Sequence, residues 1–107
     1  MKKLVTAGLI TMLFSVSASA VHIDGKYPVC ITEDAFSRLQ AIYKHQDQKA
    51  YDEIMSSECL HVTPGLPIER FVSQEWRNGA GVAQVQIYLK GRLYDLWTYT
   101  KNLKDDD

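Results

Sequence analysis

The alternation from Val82 to Leu89 constrains this chain more than any other feature. Ala83, Val85, Ile87 and Leu89 are separated by Gln84, Gln86 and Tyr88, the period of two that belongs to a strand with one buried face. Lys90-Gly91 then supplies a turn, because Gly accepts positive φ without steric cost. A second β-rich run, Leu93 to Thr100, follows at once, so the spacing predicts a hairpin. A two-residue turn sets Leu89 against Arg92, Ile87 against Tyr94, Val85 against Leu96 and Ala83 against Thr98, which gathers the apolar side chains on a core face. The other face collects Gln84 beside Trp97, Gln86 beside Asp95, Tyr88 beside Leu93 and Val82 beside Tyr99. Large aromatics with a polar rim are the material of interface hot spots. Trp97, Tyr99, Tyr88, Gln84, Gln86 and Asp95 are therefore the candidate ligand-binding residues. The competing reading has Trp97 and Tyr99 packed under helices or against Trp76, and at this level both readings stay open.

The N-terminus reads as an export signal. Lys2 and Lys3 precede the apolar run Leu4 to Val16, and Ala18-Ser19-Ala20 has the small-x-small form of a cleavage site. The run is shorter than the roughly 20 residues that span a bilayer, and no stop-transfer flank follows, so residues 1–20 are expected to be removed rather than to anchor the chain. No Cys stands at the cleavage site, which argues against a lipoprotein. The expected location is the periplasm rather than the medium, and the protein is not expected to be integral to a membrane.

Removing residues 1–20 takes away Lys2 and Lys3 and no acid, leaving 10 basic against 13 acidic side chains in 87 residues. A mildly acidic chain has no electrostatic footprint for nucleic acid or an anionic membrane. Residues 21–107 are expected to form one small domain, whose modest core benefits from a covalent staple. Cys30 and Cys59 are the only cysteines, and an even count in a short exported chain reads as a disulfide. Two thiols without a Cys-x-x-Cys pair and with scattered histidines make a poor metal site. Closing a loop of about 30 residues stabilises by roughly 3 to 4 kcal/mol in the chain-entropy account.

Between the cysteines the period changes to helical. Thr32 is placed to cap a helix whose first turn holds Glu33 and Asp34, with Ala35, Phe36, Leu39, Ile42 and Tyr43 on one stripe. Asp47 opens a shorter second helix through Ala50, Tyr51, Ile54 and Met55, so residues 32–56 are expected to be a helical hairpin. From residue 58 the chain turns β-like. Cys59 to Val62, Ile68 to Trp76 and the hairpin alternate with turn chemistry at Thr63-Pro64-Gly65 and Arg77-Asn78-Gly79. The acidic end, residues 104–107, is expected to be disordered.

Residues 59–103 resemble a bacterial SH3-like (SH3b) domain. The resemblance is carried by Pro64-Gly65 before a strand, Asn78-Gly79 leading into Val85-Gln86-Ile87, and Leu96-Trp97-Thr98 followed by Leu103. Leu96 stands where the family usually has Gly and Thr98 where it has Val, and the helical hairpin is foreign to an ordinary unit. The resemblance implies a small antiparallel β-barrel over residues 58–103 and a binding role, often toward cell-wall or protein ligands. The expected class is thus α+β, an N-terminal helical hairpin packed on an SH3-like barrel with one disulfide.

No catalytic constellation is legible. Both thiols are committed to the bridge, Asn78-Gly79-Ala80-Gly81 offers no nucleophile, and His22, His45 and His61 are scattered. Glu33 and Asp34 are explained by helix capping, and phosphate-binding and metalloprotease motifs are absent. No cofactor or metal is called for. The expectation is a non-enzymatic exported module that recognises a protein or cell-envelope ligand; the alternative is an inhibitor or immunity-type protein that blocks another enzyme. The oligomeric state is not specified.

Overall fold

Two left-handed turns shape the sheet. Asn78-Gly79 has φ of 53° and 83°, and Lys90-Gly91 has φ of 52° and 81°. Positive φ at both central residues is the type I′ geometry whose twist matches that of the flanking strands. The computed structural model describes residues 21–105, so the expected signal peptide, residues 1–20, and the last two residues lie outside the described part. The elements are β1 (Val21–Ile23), β2 (Val29–Cys30), α1 (Glu33–His45), α2 (Gln48–Met55), β3 (Cys59–Leu60), β4 (Arg70–Arg77), β5 (Ala80–Leu89), β6 (Arg92–Tyr99) and β7 (Leu103–Asp105).

A five-stranded sheet runs in the order β3-β2-β6-β5-β4, and β1 and β7 form a separate two-stranded ribbon. All pairings are antiparallel. The β5–β6 register is the one the turn dictates, from Leu89 opposite Arg92 through Val85 opposite Leu96 to Val82 opposite Tyr99.

The expected architecture needs correction in two respects. The sheet is open: among the described residues β4 pairs only with β5, so no barrel closes. The helices also do not lead the domain, because they follow β1 and β2. The physical reason is shared. The N-terminal segment supplies β1 to pair with β7 and β2 to pair with β6, leaving no strand to bring the β4 edge round onto the other end of the sheet. Lys104 and Asp105, expected to belong to a disordered tail, instead pair with His22 and Val21.

Helix formation follows its local signals. Thr32 Oγ1 accepts a hydrogen bond from Ala35 N at 3.0 Å, and Asp47 Oδ1 accepts one from Ala50 N at 3.1 Å, satisfying N–H groups that have no partner within the helix. Gln46 ends α1 in the left-handed conformation. The Cys30–Cys59 disulfide joins β2 to β3 and closes the loop that contains both helices.

Strand alternation divides the core into two layers. On the helix side Phe36, Leu39 and Ile54 pack with Val82 and the disulfide, and Trp97 and Tyr99 lie against this cluster. On the ribbon side Ile23, Val29, Val62 and Ile68 pack on Ala83, Val85, Ile87 and Leu96. Full burial of Phe36 alone contributes about 2 to 3 kcal/mol. Asn102 locks the ribbon to the sheet. Its Oδ1 accepts from Gly25 N and Tyr27 N, and its Nδ2 donates to Tyr27 O and Thr98 Oγ1, so the fully buried amide has every polar position satisfied.

Candidate functional site: an open sheet face

The six candidate residues do share one sheet face, since Gln84 opposes Trp97, Gln86 opposes Asp95, and Tyr88 and Tyr99 oppose Leu93 and Val82. The helical layer covers only part of it. Tyr99 is withdrawn beneath the helices, its ring centroid 5.0 Å from that of Phe36, 6.3 Å from Tyr43 and 5.6 Å from Tyr27. Trp97 is half-buried against the same cluster, opposite Cys30 on β2. Tyr99 is therefore part of the packed layer, and Trp97 is its border.

Burial raises the Tyr99 hydroxyl above the ordinary tyrosine range, with a smaller push from Tyr27. Tyr43 is raised further, first by burial and then by its tyrosine neighbours Tyr51 and Tyr99. These are consequences of a tyrosine cluster packed between helix and sheet. Such groups stay neutral and supply no anionic or basic function at ordinary pH.

Beyond Trp97 the face is uncovered. Tyr88 is 54% exposed and its cross-strand partner Leu93 47% exposed. Directly opposite residues in an antiparallel pair hold their side chains within contact reach, so these two make one apolar spot. Gln86 Nε2 donates to Asp95 Oδ1 at 3.0 Å beside it, and Arg70 of β4 extends the same row through its pairing with Gln86. Gln84 and Ser73 pair in the next row toward Trp97. The result is an exposed apolar spot near the tip of the hairpin, bordered on its inner side by one carboxylate, one guanidinium and amides.

The helices are pinned so that they stop short of this patch. Gln40 of α1 donates to Arg77 O at 3.2 Å and accepts from Asn78 Nδ2 at 3.1 Å, while the Arg77 guanidinium bridges Glu33 and Glu75. Those contacts hold α1 against the β4–β5 turn.

Two features of the surface were not anticipated. β4 is an edge strand with Phe71, Val72 and Trp76 exposed and a bulge between Phe71 and Ser73; Trp76, weighed above only as a packing partner for Trp97, is 76% exposed. Edge position is set by pairings distant in sequence, so the local pattern of β4 does not report it. The histidines occupy separate settings: His22 is in β1, His45 ends α1, and His61 Nε2 lies 3.5 Å from Tyr51 Oη. Among the described residues no three His, Cys, Asp or Glu side chains gather into a metal-binding group, and no helix is long and apolar enough to cross a membrane. Comparison with family models, curated proteins and solved structures gives no match, so the reading of this face rests on its own geometry and chemistry.

Proposed function

We propose that this chain is a small exported, non-enzymatic binding protein that holds a protein ligand on the open half of its helix-side sheet face. The observation that carries the reading is the exposed Tyr88–Leu93 pair, framed by Gln86, Asp95 and Arg70, on a sheet whose other half is covered. An exposed aromatic–aliphatic pair beside polar groups suits a protein surface, where aromatic anchors dominate the energy. Four hollows of the described surface are lined by other residues. Cleavage after Ala20 and residence in the periplasm complete the proposal, and the disulfide is compatible with an oxidising compartment.

The test is affinity capture from periplasmic extract with the oxidised mature protein, run beside a Tyr88→Ser, Leu93→Ser double variant. A stoichiometric protein held by the first and lost by the second supports the proposal. Equal capture by both, or no captured protein, contradicts it. If the captured protein is an enzyme whose activity falls on binding, the inhibitor role is the form the binding takes.

A further inference from the structure

β4 is a long edge left bare. Among the described residues it pairs only with β5, and every residue from Arg70 to Trp76 is exposed. Arg77 and Ala80 flank the two-residue turn as a hydrogen-bonded pair. The alternation of an antiparallel ladder then turns the backbone N–H and C=O of Gln74 and Trp76 away from β5. Such a row of donors and acceptors invites another strand, and edges are ordinarily blunted by shortness, proline or dense charge. β4 has eight residues, no proline, and Phe71, Val72 and Trp76 exposed along it.

The two ends of β4 are complementary to each other on both faces. The register puts Phe71, Gln74 and Trp76 on the ribbon side, opposite Val85, Ala83 and Gly81, and Arg70, Ser73, Glu75 and Arg77 on the helix side. On the helix side the Arg77 end holds a surplus of acid, because Glu33 and Glu75 share one guanidinium. The other end holds Arg70, which forms no ion pair among the described residues. On the ribbon side Trp76 stands at one end and Phe71 at the other. The bulge between Phe71 and Ser73 keeps these faces in phase, since it absorbs one residue and lets Phe71 and Val72 together oppose a single position.

We propose that β4 pairs with β4 of a second copy of this chain, antiparallel about a two-fold axis at Gln74. In that register the Gln74 N–H and C=O bond to those of Gln74 in the second copy, and Trp76 meets its Phe71 and Val72. Arg70 arrives opposite Arg77 of the second copy, where two carboxylates outnumber one guanidinium, so its charge brings the group to neutrality. Both contacts occur twice, as an isologous interface requires, and the two five-stranded sheets join into one. This double match of charge and aromatic surface is written into β4 itself, which makes a second copy the occupant.

Sedimentation equilibrium of the oxidised protein tests the pairing. A reversible monomer–dimer equilibrium with Kd below about 1 mM is expected. Gln74→Pro is expected to weaken it at least about tenfold while the β4–β5 ladder stays intact, because the N–H it removes faces away from β5. Arg70→Glu and Glu75→Arg are each expected to weaken association about tenfold by setting like charges together at both ends. An equimolar mixture of these two variants is expected to recover to within about threefold of the unaltered chain, since each reversed charge then meets its opposite. That recovery also shows that both variants are folded. A monomer at about 1 mM, a dimer insensitive to Gln74→Pro, or a mixture no tighter than the separate variants would overturn the proposal.

Discussion

Tyr99 and Tyr88 stand on the same face of the same hairpin and meet opposite fates. Tyr99 is packed under α1 with its hydroxyl held neutral, whereas Tyr88 is more than half exposed beside a Gln86–Asp95 hydrogen bond. Nothing in the local strand pattern separates them. What differs is the distance from the disulfide and from the Gln40–Arg77–Asn78 contacts, which hold the helical layer over one half of the sheet. A strand pattern therefore specifies which side chains share a face, and long-range tethers decide which part of that face becomes core.

The strongest way to break the contrast is to remove the covering layer. Phe36→Ala is expected to lower the unfolding free energy by about 3 to 5 kcal/mol, because a fully buried ring under the helices leaves a cavity against Val82 and Tyr99. Denaturant unfolding measures this. A loss comparable to that of a surface substitution would mean that the helices do not pack on the sheet in solution.

The disulfide comes next. Replacing both Cys30 and Cys59 by Ala is expected to cost roughly 3 to 4 kcal/mol, since the bridge limits the unfolded loop that contains both helices. An unchanged unfolding midpoint would show that the Gln40 and Arg77 contacts hold the layer without covalent help.

A gentler probe is alkaline pH. Tyr43 and Tyr99 have folded-state values raised above the unfolded value of about 10, so the folded chain retains protons that the unfolded chain releases. Their contribution is fully present below that value and is lost as pH rises toward the folded-state values. The unfolding midpoint is expected to fall above pH ~10, with tyrosinate absorbance showing these two tyrosines titrating after the others. Six tyrosines titrating together in the folded protein would contradict the packed cluster.

Much of this arrangement was legible from residues alone, and the exceptions have a common cause. The hairpin register followed from Lys90-Gly91, the helix starts from Thr32 and Asp47, and the bridge from a single pair of cysteines, because each of these signals is local or has no competitor. β1, β2 and β7 carry two or three residues each, too few for a period to register. Their absence from the sequence reading is what made a closed barrel an attractive expectation, since the pairing of β1 with β7 was invisible. Asn102 was invisible for the same reason: its side-chain hydrogen bonds reach back as far as Gly25, and no neighbouring residue announces a buried amide. For the candidate face, the six residues were legible as a set. Its division at Trp97 was not, because α1 lands there through contacts with Arg77 and Asn78 on the opposite end of the sheet.

The smallest stability effect belongs to the exposed pair, and it carries the most direct test of the functional claim. Replacing Tyr88 and Leu93 together by Ser is expected to shift the unfolding free energy by only about 0.5 kcal/mol or less per site, as for surface positions. The decisive measurement is the affinity of the captured protein partner for this variant, by titration calorimetry beside the unaltered chain. The account predicts a loss of about 2 kcal/mol or more, some thirtyfold in Kd, with the fold intact. An unaltered Kd would contradict it and return Tyr88 and Leu93 to the ordinary surface.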